Sequence, residues 1–211
     1  MNHIQKLLTL IGLSLIVTAG LSACHRPMEP GKVIIVRHAE KGPGGGNVNL
    51  RTDGLTRASD LADLLADDAL TAVYATNYCR TAHTGQPTAV AHDLPLQIRM
   101  EFPGGGLGGC VPPITAPQEL LTPAQSTTAM FAERLAATES GATVLVVGHS
   151  NTVPDVIEEL VGESICPDII PGPASNCLIP ENEFNHLFEV TIPANGDDPS
   201  VTHTTYGAPS P

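Results

Sequence analysis

The stretch Lys32-Val33-Ile34-Ile35-Val36-Arg37-His38-Ala39-Glu40-Lys41 decides how this chain is read. Four consecutive apolar, mostly β-branched residues suit a strand buried on both faces, and such strands belong to parallel sheets covered by helices on either side. The apolar run stops at an arginine and a histidine. Binding sites in α/β sheets lie just beyond the carboxyl ends of parallel strands, so Arg37 and His38 stand where chemistry is usually built. The pattern recurs at Thr143-Val144-Leu145-Val146-Val147, which runs into Gly148-His149-Ser150-Asn151-Thr152. Two buried strands each deliver a histidine, and both are expected on one rim.

Between and beyond these strands the chain alternates. Gly42–Asn49 is Gly-rich and predicts a loop over the site. Leu55, Ala58, Leu61, Ala62 and Leu65 recur at helical spacing and predict an amphipathic helix. Ala72-Val73-Tyr74-Ala75 predicts a short strand, after which Thr76-Asn77 would cap a helix starting near Tyr78. A third strand fits Leu94–Met100, followed by a Gly/Pro-rich loop, Pro103–Pro113. Thr122-Pro123-Ala124-Gln125 combines a capping box with proline at the first helical position, predicting a helix to about Thr138. The turn after the second histidine leads into a helix over Pro154–Val161, ended by Gly162. His186–Ile192 and Ser200–Tyr206 predict two strands joined around Asn195-Gly196. This order predicts a three-layer α/β/α sandwich with a mostly parallel central sheet.

Upstream, residues 1–23 hold a polar start with Lys6, an apolar run from Leu7 to Leu21, and then Ser22-Ala23-Cys24. That arrangement predicts a secretory signal. It resembles the bacterial lipoprotein box, which implies cleavage before Cys24, lipid on the Cys24 sulfur and a mature chain beginning there. His25 rather than aspartate follows, which favours the periplasmic face of the outer membrane over the inner membrane. A transmembrane anchor is the rival reading, for which the run is short. Residues 24–31 then form a tether, with one domain over 32–211 and no second domain or repeat.

A formal charge of −12 argues against a nucleic-acid partner or an anionic surface, because the long-range field repels both. Any anion site must be local. Four cysteines follow Cys24, an even number in an exported chain, and they allow three disulfide connectivities. Cys166 and Cys177 bracket a short Pro/Gly-rich loop, so Cys166–Cys177 with Cys79–Cys110 is the preferred pairing. No two cysteines stand at metal-ligand spacing, and the histidines do not cluster around them, so no metal is expected.

Neutral imidazole at a strand end can attack phosphorus and form a phosphoramidate that water later breaks. A phosphoryl group in flight spreads negative charge over its oxygens, which fixed cations stabilise. Arg37 fits that need because guanidinium grips phosphate in a bidentate way. Arg80 follows the second strand by about one turn and can reach the same rim. His149 precedes a helix whose amides and dipole favour an anion. Glu40 is expected to orient the loop or His38, while Asp155 reads as an ordinary first-turn acid.

These motifs together resemble the histidine phosphatase superfamily, also called phosphoglycerate mutase-like, over essentially the whole mature domain. Arg37–Lys41 matches its Arg-His-Gly/Ala-Glu motif. Leu50-Arg51-Thr52-Asp53-Gly54 with Arg57-Ala58 is similar to its opening to the first helix. Tyr74 to Thr84 resembles the segment bearing its second arginine, and Val146 to Thr152 its second-histidine motif. The resemblance implies a metal-independent, cofactor-free phosphatase acting on a small phosphorylated substrate. His38 would be the phosphorylated nucleophile, and Arg37, Arg80 and His149 its phosphate pocket. It also implies an acid from the region after the third strand, best matched by Glu101; in another branch that acid follows the second histidine, where this chain has Ser150. The rivals are a phosphomutase using the same phosphohistidine and a non-catalytic anion-binding surface lipoprotein. A zinc deaminase is disfavoured, because His38-Ala39-Glu40 has no Pro-Cys-x-x-Cys partner.

Overall fold

In the computed structural model the strand predicted around Val33–Val36 runs through the middle of a seven-stranded sheet. The structure describes residues 30–100, 105–138 and 140–210; the signal segment, Cys24, most of the tether and Glu101 lie outside the described residues. In chain order the elements are β1 (Gly31–Arg37), α1 (Thr52–Leu64), β2 (Leu70–Thr76), α2 (Cys79–Ala91), β3 (Leu96–Arg99), β4 (Gln118–Leu120), α3 (Thr128–Ala136), β5 (Thr143–Gly148), α4 (Thr152–Val161), β6 (His186–Ile192) and β7 (Ser200–Thr205). The strands lie in the order β4-β3-β2-β5-β1-β6-β7. The first five of these pair in parallel, and β6 and β7 are antiparallel. The fold is thus an α/β domain with a mostly parallel sheet, as expected.

Side-chain alternation along β1 divides the core. Val33 and Ile35 join Val144, Val146 and Phe188 under α3 and α4, against Phe131, Leu135, Val153 and Ile157. Ile34 and Val36 point the other way, with Leu145 and Val147, against Leu61 of α1 and Ala82 and Ala89 of α2. Burying a side chain of this kind contributes about 1.5–3 kcal/mol, so β1 anchors both layers. Both disulfides follow the preferred pairing: Cys79 is joined to Cys110, and Cys166 to Cys177. Among the described residues no helix is long and apolar enough to cross a membrane.

Three local readings are corrected, and one strand is added. The helix predicted from Pro123 to Thr138 is broken: its capping box closes a 3-10 turn over Pro123–Ser126, and Thr127, with ψ 151°, is extended and caps α3 separately. Ser126 donates its hydroxyl to Thr122 O, the local competition for backbone groups that makes Ser/Thr runs poor helix interiors. Thr76-Asn77 does not cap α2. The N-cap is Tyr78, without a side-chain bond, and the Cys79 amide instead donates to Asn47 Oδ1 at 2.7 Å, from the Gly-rich loop. On α1, Leu55 is 38% exposed, and Arg57 is buried in the face assigned to apolar residues. Finally, β4 is an exposed edge strand that its three residues do not announce by pattern.

Candidate active site

Strands β2, β5 and β1 are neighbours, so their carboxyl ends bring Thr76, His149 and Arg37-His38 to one rim. The His38 amide donates to Gly148 O at 2.9 Å, fastening the end of β1 to the end of β5. The imidazoles of His38 and His149 meet edge to face, their centroids 5.4 Å apart. Both rings are buried.

Hydrogen bonding sets which nitrogen of each ring is bare. His38 Nδ1 lies 2.8 Å from Ala39 O; a carbonyl can only accept, so Nδ1 carries the proton and Nε2 of the neutral ring presents its lone pair. Arg80 Nη2 donates to His149 Nδ1 at 3.3 Å, which leaves the His149 proton on Nε2, donated to Thr76 Oγ1 at 2.9 Å. Burial, reinforced by Arg37, His149 and Arg80, pushes His38 well below the ordinary imidazole value, although its bond to Ala39 opposes the shift. Burial, with Arg80, Arg37 and Arg99 adding to it, lowers His149 to about 3. Both rings are therefore neutral at physiological pH, the form a nucleophilic imidazole needs.

The two arginines reach the rim by different supports. Arg37 is buried: its Nη1 donates to Pro180 O at 2.6 Å and Glu183 O at 3.0 Å, and its Cζ lies 4.5 Å from the centre of the Phe184 ring. Its Nη2 faces the exposed Glu181 carboxylate at 3.6 Å. Arg37 Nε is a buried donor with no hydrogen-bond partner among the described residues. Buried orphan donors are rare, and this one stands beside the histidine pair, where an anion would satisfy it. Arg80, in the first turn of α2, donates to Gly46 O at 2.7 Å and lies over the Tyr78 ring at 4.3 Å. The Gly-rich loop thus does cover the site.

Glu40 does not reach the imidazoles through any hydrogen bond; it is buried and paired with Arg57, Oε1 to Nη2 at 2.6 Å. Asp155 is exposed in the first turn of α4. Thr76 and Tyr78 enter the site without having been foreseen, whereas Thr84 belongs to the motif around Arg80 and the strap Pro180–Phe184 overlaps the loop Gly162–Glu183 expected to shape the pocket. Thr84 Oγ1 accepts the Ala39 amide at 3.0 Å and so supports the turn after His38. Thr76 could have been found, since it ends a strand just as His38 and His149 follow theirs. No group of His, Cys, Asp and Glu among the described residues is placed to hold a metal ion.

Comparison with known proteins meets this geometry from another direction. Residues 33–103 match the model of the histidine phosphatase superfamily, branch 1. The matched stretch contains Arg37, His38 and Arg80, and stops short of His149. A mycobacterial glucosyl-3-phosphoglycerate phosphatase is similar in structure, with 14% identity, TM-score 0.52, and 85% of this chain and 100% of that one covered. A phosphoserine phosphatase from Entamoeba histolytica aligns at 16% identity and TM-score 0.50, covering 84% of this chain and 98% of that one. A protein described as mycobacterial hydrolase 1 gives 14% identity and TM-score 0.53, with 85% and 99% covered. At such identities the likeness establishes a shared fold, and the family match is confined to residues 33–103. No curated protein matches the chain by sequence.

Proposed function

We propose that this chain is a phosphatase that hydrolyses phosphomonoesters through a phosphohistidine on His38. The observation that carries the reading is the paired neutral imidazoles with Arg37 beside them, its buried Nε–H unpartnered. His38 Nε2 attacks phosphorus, the P–O bond to the leaving alcohol breaks, and the leaving oxygen takes a proton, assigned to Glu101. Water, giving a proton back to the Glu101 carboxylate, then attacks the phosphohistidine, the P–N bond to Nε2 breaks, and inorganic phosphate departs. Arg37 and Arg80 stabilise the charge on the phosphoryl oxygens, and His149 joins them by turning its one N–H from Thr76 Oγ1 to the substrate. These fixed donors carry the charge stabilisation, so no step here is routed through a metal or cofactor. The similar solved structures, several of them phosphatases by name, support the reading through their fold.

Localisation belongs to the same proposal. We place cleavage before Cys24, lipid on its sulfur and residues 24–31 as a tether holding the domain at the periplasmic face of the outer membrane. Two disulfides in the domain are consistent with an oxidising compartment.

The deciding experiment is trapping. The chain is incubated with an aryl phosphate, quenched in alkali and mapped by mass spectrometry. Phosphate is expected on His38, and His38→Ala is expected to lose both the adduct and at least about a thousandfold in kcat. Near-normal turnover in that variant refutes the assignment. As a second arm, Glu101→Gln should slow esters with poor leaving groups far more than activated aryl phosphates; equal loss on both removes Glu101 from the acid role.

A further inference from the structure

The strap Pro180–Phe184 holds Arg37 through two backbone carbonyls and one ring, and its own anchorage leads away from the site. The Glu183 carboxylate lies against His186 on β6, Oε2 to Nε2 at 2.5 Å. His186 Nδ1 in turn meets Nε2 of His203 on β7 at 2.8 Å. Phe188 stacks on His186, with centroids 6.1 Å apart, and lies 5.1 Å from His203, giving the pair an apolar wall. Glu183 from the strap and His203 from β7 are thus the titratable groups that face His186, and Glu181 is the acid that faces Arg37.

Two imidazole nitrogens can share a hydrogen bond as long as one of them is bare. With one added proton, His186 donates to Glu183 through Nε2 and to His203 through Nδ1, and every partner is satisfied. A second proton sets N–H against N–H and charge against charge, and the link opens. Burial and the neighbouring His186 already lower His203, in keeping with a pair that resists the second proton.

We propose that His186 and His203 are positioning residues for Arg37. Acting through Glu183, the imidazole pair holds the strap with its carbonyls on the guanidinium, and uptake of a second proton parts His186 from His203, so that the His186 ring and the Glu183 carboxylate paired with it come loose from β7 and the strap slackens. This rests on Arg37 being part of an anion pocket, as argued above.

The test is sulfate binding to the full chain, followed by calorimetry from about pH 7.5 to about pH 5, a range over which sulfate stays a dianion and unperturbed histidines titrate. Affinity is expected to weaken roughly 5-fold or more on acidification, a typical coupling between linked sites. Protonation of His38 or His149 would act in the opposite direction, tightening sulfate. In His203→Gln the side-chain oxygen can still accept from His186 but takes up no proton, so affinity near neutrality is kept and the acid weakening disappears. His186→Gln should weaken sulfate even near neutrality. A wild-type affinity that is flat or rises toward acid, or an acid weakening that survives in His203→Gln, overturns the relay alone. A chain that binds no sulfate at any pH overturns the anion pocket, and the relay with it.

Discussion

Replacing Arg57 by methionine removes one cation from a place where nothing else can answer it. Arg57 and Glu40 are each 2% exposed. Arg57 Nε donates to both Glu40 oxygens, at 3.1 and 3.0 Å, and Nη2 donates to Oε1 at 2.6 Å. The remaining Nη1 holds the carboxy-terminal segment through Tyr206 O at 3.0 Å and Ala208 O at 2.8 Å. Methionine keeps an unbranched, apolar chain of similar reach, so the loss is electrostatic more than steric. Breaking a buried pair from one side costs about 3–5 kcal/mol, because the surviving carboxylate stays desolvated. At about 2–4 °C per kcal/mol for a domain of this size, the melting midpoint should fall by roughly 6–20 °C. Scanning calorimetry of Arg57→Met, Glu40→Gln and the double variant is the assay. The double variant should recover part of the loss, with a coupling energy of about 2 kcal/mol or more. A fall of less than about 3 °C, or additive single effects, would show that the pair is solvated and the reasoning wrong.

Two further outcomes are expected. His38 and His149 are held neutral in the fold, the latter down to about 3, whereas the unfolded chain binds protons near 6.5, so stability is full above that value and falls as pH drops through the window between. The slope should be about 1.4 kcal/mol per pH unit for each ring, and urea titrations of His149→Gln across a pH series should show it shallower. Asn47→Ala removes the acceptor for the Cys79 amide and the donor to Gly106 O at 2.5 Å, slackening the loop whose Gly46 carbonyl holds Arg80. Loss of the cap should cost about 1 kcal/mol, and KM for an aryl phosphate should rise more than kcat falls; an unchanged KM would mean that Arg80 holds its place without the loop.

The parts of this molecule legible in its sequence are those where one residue type suffices. Val33–Val36 and Val144–Val147 are apolar on both faces, which only a covered central strand accommodates, and they led to His38 and His149 directly. The hairpin between β6 and β7 follows from Asn195-Gly196, where Gly196 takes a φ of 82°. Long-range supports left no such mark. Arg37 is held by the carbonyls of Pro180 and Glu183, and any residue supplies a carbonyl, so 143 and 146 positions of separation hid the contact. The tertiary cap from Asn47 was equally silent, and it displaced the local cap expected at Thr76-Asn77. Arg57 broke an apolar helical face for a reason that lies on another element, the carboxylate of Glu40.

The cross-links bear on how the molecule is made. Cys79 opens the helix that carries Arg80, and Cys177 lies just before the strap, whose neighbour Ile179 donates to Ser150 O at 2.9 Å. One bond ties the start of α2 to the Gly/Pro-rich loop, and the other closes the loop between α4 and β6 that leads into the strap. Without the two cross-links the chain would still assemble its sheet from apolar burial yet leave both walls of the cleft unfastened.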